Sequence, residues 1–375
     1  MKQRVGIFSF VGAVAVLTFL NFSCGKGGSA TSSGTDSILV NIGTNIIIPG
    51  YQSLATSVNS LDSAITDFNA SPNSTKLSNV QILFKTAYTA WVSVSQFNYF
   101  GPASDNLPPL SGLDKFPADT VTIKNNISGN PGTVNINSYA NQSAKGFAAL
   151  DYLLFDNSAG LINSYTTDAN AANRKQYLAI VSTDIKTETD NVLNGWLSSY
   201  NTTFMTGTGT SVSSSLGLVI NSLDQEVDIL KNYRLGVPLG AVLVSTSGTN
   251  PTQVEAYYSG ISSQLMLTQV KAMEGLYLGT GANGNGLGLS NYVKESSRLY
   301  NSYNGVSLDN AITSQFATVI ADLQMVPDPL SQTIQTNAAP ATKAFTDIQQ
   351  LLLLLKTDMP SLLAVAITYG DNDGD

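Results

Sequence analysis

The sequence predicts an all-α protein built as two helical-bundle domains. Three observations carry that prediction. Several long segments repeat apolar residues at spacings of three and four, the pattern of a helix that buries one stripe. Alternating apolar and polar runs are scarce, and the best of them, 133–136, is short. A chain of 375 residues, 43% of them hydrophobic, can fill two cores, and a Gly/Thr/Ser-rich break at 205–215 falls between helical blocks. The predicted organisation is a leader over 1–23, a tether over 24–36, an N-terminal bundle over 37–204, a linker over 205–215 and a C-terminal bundle over 216–375.

The leader carries Lys2 and Arg4, then an uncharged stretch from Val5 to Leu20, then small residues up to Cys24. This is the charged and apolar succession of an export signal, and the apolar run is short for a membrane span. Cys24 is the only cysteine and stands where a bacterial lipoprotein signal places its lipidated residue, although Leu20 lies one position further from it than usual. A plain secretory signal with an incidental cysteine is the alternative. Residues 25–36 are rich in Gly, Ser and Thr without apolar periodicity and read as a flexible tether.

The helical elements follow in order. Val80, Leu83, Phe84, Ala87, Trp91, Val94 and Phe97 form one stripe; Tyr177, Val181, Ile185, Val192, Trp196 and Tyr200 form another. Leu216, Val219, Ile220, Leu223, Val227 and Leu230 make a third. Val254, Tyr257, Ile261 and Leu265 make a fourth, with Asn250-Pro251 as its start signal or Thr252-x-x-Glu255 as a capping box. Residues 308–323 and 345–363 complete the set, Pro360 being expected to kink or end the last. Trp91 and Trp196 fall on these stripes and read as core. The five prolines of 101–142 mark a structured excursion or a functional loop.

Composition excludes whole classes of chemistry. There is no histidine, so Ser-His-Asp and Cys-His catalysis, HExxH zinc sites and His-ligated haem are absent. One cysteine forms no intrachain disulfide. A net charge of −8 without a basic run makes nucleic acid a poor partner.

Two motif-like stretches read as ordinary structure. Gly279-Thr-Gly281-Ala-Asn-Gly284 matches G-x-G-x-x-G, but a helical pattern precedes it where the dinucleotide fingerprint needs a strand. The ending Asp371-Asn-Asp373-Gly-Asp375 alternates carboxylates like a calcium loop but lacks its later ligands, so it reads as a solvated acidic tail or a weak site for a hard cation.

The third stretch is Gly146-Phe-Ala148-Ala-Leu-Asp151-Tyr-Leu-Leu-Phe155, an apolar helix with one carboxylate inside it. It resembles the G-x-H-x-x-E motif and apolar continuation of the imelysin-like family, with Ala148 at the histidine position and Asp151 at the glutamate position. Trp91 with Phe100-Gly101-Pro102, Phe116-Pro117-Ala118-Asp119, the segment Arg234-Leu-Gly-Val-Pro238-Leu-Gly240 and Val254-Glu255-Ala256 resemble other family segments in the same order. The acidic ending resembles those of Bacteroidetes members. The resemblance covers roughly residues 38–375. It implies two helical bundles with a site between them, in a family named for a peptidase, many of whose members are tied to iron uptake as periplasmic or lipid-anchored proteins. A histidine and a glutamate three residues apart share a helix face and can hold one metal ion. Here alanine offers no lone pair and aspartate is a methylene shorter, so peptidase activity is not expected.

Two readings of the altered site stay open. One is a carboxylate-only site for a hard cation, iron or calcium, formed by Asp151 and Glu255 with tyrosine or backbone oxygens. The other is a binding or scaffold protein without metal, in which Asp151 is a helix-start carboxylate and Glu255 a capping residue. Arg234 is expected to pair with a buried carboxylate at the domain junction or to sit at a helix end. The reading favoured is non-enzymatic binding linked to iron acquisition. The implied partners are the membrane, through the anchor, and iron-uptake or other envelope proteins. The expected location is the periplasmic face of the outer membrane.

Overall fold

The computed structural model describes residues 32–102, 112–156, 160–242, 248–297 and 306–368. Cys24, the leader and the acidic tail 371–375 lie outside them. α1 (Ser32–Asn41) runs through a π-helical turn, Ile42–Ile47, into α2 (Ile48–Ala70). The tether expected over 24–36 therefore gives way to helix at Ser32. α2 has no acidic residue in its first turn, no basic residue in its last and no side-chain N-cap, yet Tyr51, Leu54, Val58, Leu61, Ile65 and Phe68 form a regular buried stripe.

α3 (Ser74–Val92) starts at Asn73, whose side chain accepts the Lys76 N–H, and is followed by a 3₁₀ turn, Ser95–Phe97. The proline-rich excursion contains α4 (Thr120–Ser128), capped by Asp119, which accepts the N–H groups of Val121 and Thr122. The strand-like run 133–136 forms no strand: a 3₁₀ turn, Pro131–Thr133, capped by Asn130 and started by the proline, takes in its first residue. α5 (Gly146–Phe155) and α6 (Ala171–Gly195) follow, then a π-helical segment Trp196–Tyr200 and α7 (Asn201–Thr206).

Beyond the 205–215 break come α8 (Ser215–Ile229), the π-helical segment Leu230–Gly236 and the short α9 (Val237–Leu239). α10 (Ser262–Leu278) leads into a small hairpin of β1 (Thr280–Gly281) and β2 (Gly284–Asn285). Gly279, at φ +80°, ends α10 in the left-handed conformation, so the glycine-rich stretch connects two helices. α11 (Leu289–Ser297), α12 (Leu308–Gln324), α13 (Leu330–Thr336), α14 (Ala339–Leu353) and α15 (Met359–Leu363) complete the fold. Pro360 falls in the first turn of α15, and the π-helical segment Leu354–Asp358 before it absorbs the break.

α2, α3, α5 and α6 pack as one bundle, and α10, α12 and α14 as another, with α8 against both the Ser95–Phe97 turn and α14. The apolar core runs without interruption from one bundle to the other. α1 and its π-turn dock on the hairpin beside the second bundle: Asn41 donates to the carbonyls of Gly279 and Leu287 at 2.9 and 3.0 Å. Trp196 is fully buried among Phe100, Tyr200 and Phe204, as expected of a core residue.

Candidate functional site: an arginine-centred seam and an adjoining cavity

The site is organised by the first residue of α5. Gly146 has φ +70°, and a Cβ there would lie 2.2 Å from the Leu113 carbonyl oxygen, so only glycine fits. The next N–H, of Phe147, donates to that carbonyl at 2.7 Å. This contact holds the segment bearing Asp114 and Phe116 against the start of α5. A buried ion pair, Lys145 with Asp184 at 2.9 Å, ties the same end to α6. Residues 146–154 are all buried, and Asp151 is the only charged residue among them.

Asp151 does not project into open space. Its two oxygens accept the backbone N–H groups of Tyr258 and Ser259 at 2.8 and 2.9 Å. These donors belong to a tight turn over 254–260 in which Ala256 and Gly260 have φ +52° and +65°. The turn corrects the sequence expectation for this region. A helix through Val254 and a capping box at Glu255 do not form; a 3₁₀ turn, Pro251–Gln253, comes first, and α10 begins only at Ser262. The left-handed backbone breaks the helix, and the carboxylate from α5 satisfies the N–H groups that the break exposes.

Burial pushes the Asp151 carboxyl up to about 6, although its hydrogen bonds with Ser259 and Tyr258 pull the other way. An unfolded chain releases that proton near 3.8. Between those values the folded state holds a proton that the unfolded state has lost, so this residue removes stability as pH rises from about 4 to about 6. Asp151→Asn should flatten that part of the profile. Urea unfolding of both proteins at pH 4, 5 and 6 checks it; identical slopes would show that Asp151 does not titrate there.

Ala148 and Asp151, three residues apart, line one cavity of about 230 Å³. Phe116, Thr120, Gln253 and Tyr257 are among its other walls. The remnant motif therefore faces a real cavity, lined by aromatic, amide and hydroxyl groups. It does not fit a metal ion. Ala148 has no lone pair, both Asp151 oxygens are engaged by backbone donors, and no three acidic residues among those described are placed to hold a metal ion.

Glu255 turns away from this cavity, which its neighbours Val254 and Ala256 line, and pairs with Arg234. Asp151 and Glu255 thus do not form the shared carboxylate site that the sequence had left open. The reason is Arg234 itself, a buried guanidinium that draws three carboxylates. Besides Glu255, it meets Glu226 at 3.4 Å and Asp114 at 3.6 Å, with the Phe116 ring 5.7 Å away. Burial alone would lower the Arg234 pKa, but Glu255, Asp114 and Glu226 outweigh it and hold it above its ordinary value. Burial also pushes the Glu255 carboxyl well above the usual range, against the pull of Arg234, as one cation faces three acids.

Hydrogen bonds extend the cluster across the seam. Asp114 accepts from the Tyr88 hydroxyl at 2.6 Å and from the Trp91 indole at 3.1 Å. Glu226 accepts from Ser95 at 2.8 Å, from Tyr99 at 2.9 Å and from the Gln269 amide. α3, α8 and α10 all contribute, so the first bundle is locked to the second by buried polar groups as well as apolar packing. Asp114, Glu226, Gln269, Ser95, Tyr88 and Tyr99 were not singled out from sequence. Glu226 carried a signal, since it lies on the apolar stripe of α8, three residues after Leu223, in a chain with only 12% charged residues. Trp91 is core, as expected, but is also a donor to this cluster.

The model of the imelysin family matches residues 47–356 of the chain. Two solved structures are similar in fold. One, from Parabacteroides distasonis and described as an iron-regulated protein A precursor, is 18% identical, with a TM-score of 0.71 over 90% of this chain and 97% of that one. The other, an imelysin-like protein from Psychrobacter arcticum, is 15% identical, with a TM-score of 0.68 over 91% and 99%. No curated protein matches the sequence.

Proposed function

The chain belongs to the imelysin family, and from that premise we propose that it is a non-enzymatic, lipid-anchored binding protein of the cell envelope, tied to iron acquisition. The observation that carries this reading is the state of the motif: Ala148 and Asp151 face a cavity, but their atoms supply no ligand set for an ion. The peptidase arrangements that rest on histidine, as metal ligand or as general base, have no residue to form them in this chain. What remains is a pocket with aromatic walls and a few fixed polar groups, the usual make-up of a site for an organic ligand. In this reading iron reaches the protein through a ligand or partner, not as an ion resident in the family motif.

Export and anchoring rest on the leader and on Cys24. The described residues contain no helix long and apolar enough to cross a membrane. The similar Parabacteroides protein is described as an iron-regulated precursor, which agrees with an exported, iron-linked role here. A deletion strain of the source bacterium, complemented with wild type or Cys24→Ser and grown at limiting iron, tests both parts. Wild type should restore growth and stay with membranes, while Cys24→Ser should move to the soluble fraction. Unimpaired growth of the deletion strain would remove the iron link, and an unmoved Cys24→Ser protein would remove the anchor.

A further inference from the structure

We propose that a second cleft, between α4, α5 and the start of α6, binds a small organic anion through Arg174 and Lys124. The cleft measures about 300 Å³, and Lys124, Tyr152, Ser164, Asp168, Asn170 and Arg174 are among its walls. It shares no lining residue with the cavity at Ala148. The two are neighbours, since Tyr152 packs edge-on against Tyr258 with ring centroids 5.2 Å apart.

Arg174 is only 9% exposed. One terminal nitrogen donates to the Leu153 carbonyl at 3.1 Å, and the guanidinium lies 5.0 Å from the Tyr165 ring and 5.7 Å from the Tyr152 ring. Its Nε is buried without a hydrogen-bond partner. Lys124 lines the same cleft, its Nζ 5.8 Å from the Tyr152 centroid. The ion pairs among the described residues involve neither cation. Asp168, the one acid in the lining, accepts the Asn170 N–H at 2.8 Å within its own turn. Asp156 adds a negative field at Arg174.

A guanidinium kept from water with a donor unpaired is costly unless an acceptor comes to it. The planar fork suits a carboxylate or phosphate, and the ammonium supplies a second charge. Tyr152 and Ile127 offer an apolar wall for the body that carries the anion. The cleft is also held open in advance, because Asn173 on α6 donates to the carbonyls of Ile127 and Gly129 at 2.9 and 3.0 Å and fixes the end of α4.

Calorimetric titration of the folded protein with phenyl phosphate, benzoate and neutral benzamide tests the proposal. Saturable binding of either anion, with none for benzamide, is expected, and the tighter of the two identifies phosphate ester or carboxylate as the preferred group. Lys124→Ala, at an exposed position, should weaken that binding about tenfold without harming the fold. Arg174→Lys should weaken it at least as much, and Asp151→Asn in the other cavity should leave it unchanged. No saturable anion binding, equal binding of benzamide, or an unaffected Lys124→Ala protein would overturn it.

Discussion

Arg234→Met should be the most damaging single substitution at the seam, costing about 3–5 kcal/mol at neutral pH. Methionine fills much of the arginine volume, so the loss comes from charge. Asp114, Glu226 and Glu255 would face one another in a buried space with their shared cation gone. Protonation relieves such a cluster, so the cost should be larger at pH 8 than at pH 5. Adding Glu255→Gln should recover part of it by removing one uncompensated charge. Arg234→Lys keeps the charge but not the fork, and should fall between wild type and Arg234→Met. Denaturant unfolding of the four proteins at both pH values measures these differences. A loss below about 1 kcal/mol for Arg234→Met would mean that the carboxylates find other partners and that the arginine does not hold the seam.

The second large effect is an expected failure. Replacing Ala148 with His and Asp151 with Glu rewrites the motif in its family form, yet it should not create a stoichiometric zinc site. The cavity of about 230 Å³ beside Ala148 leaves room for the imidazole, so the first change should be tolerated. The second should not be neutral. A carboxylate one methylene longer cannot occupy the place where Asp151 accepts the N–H groups of Tyr258 and Ser259, and the 254–260 turn should loosen, at a cost of about 1–3 kcal/mol. Even when ordered, the pair supplies two ligands where zinc takes three or four. Glu255 and Asp114 do not line that cavity and are paired with Arg234. Calorimetric titration with zinc should show no tight saturable binding in wild type or double variant. Micromolar binding by a folded double variant would show that the cavity keeps a metal geometry and lacks only its ligands.

The helices were legible because each buries one stripe, and stripes such as those of α8 and α12 leave a regular spacing in the sequence. α2 has the same kind of stripe, but no side-chain cap, no acid in its first turn and no base in its last signal where it starts and stops. The helix placed at Val254 was misjudged for a physical reason. Its apolar spacing is real, but Ala256 is held in a left-handed conformation by a turn that Asp151, more than a hundred residues earlier, stabilises. No local pattern reports such a contact. The site was half legible in the same way. Gly146, Ala148, Asp151, Arg234 and Glu255 were marked, but their grouping was not: Asp151 serves the turn, whereas Glu255 serves Arg234. Asp114 sits in a loop without periodicity, and contacts remote in sequence, from the Leu113 carbonyl to α5 and from its own carboxylate to Tyr88, Trp91 and Arg234, bring it to the seam.

An arginine and a backbone turn organise the seam, and the altered motif offers no ligand set for a resident ion. The most direct test is the metal content of the mature protein, purified without chelator from cells grown in iron- and calcium-replete medium, by elemental analysis alongside Asp151→Asn. Less than about a tenth of an equivalent of any metal is expected in both, since no three acidic residues among those described are placed to hold a metal ion. One equivalent of iron or calcium in the wild type, lost in Asp151→Asn, would contradict it.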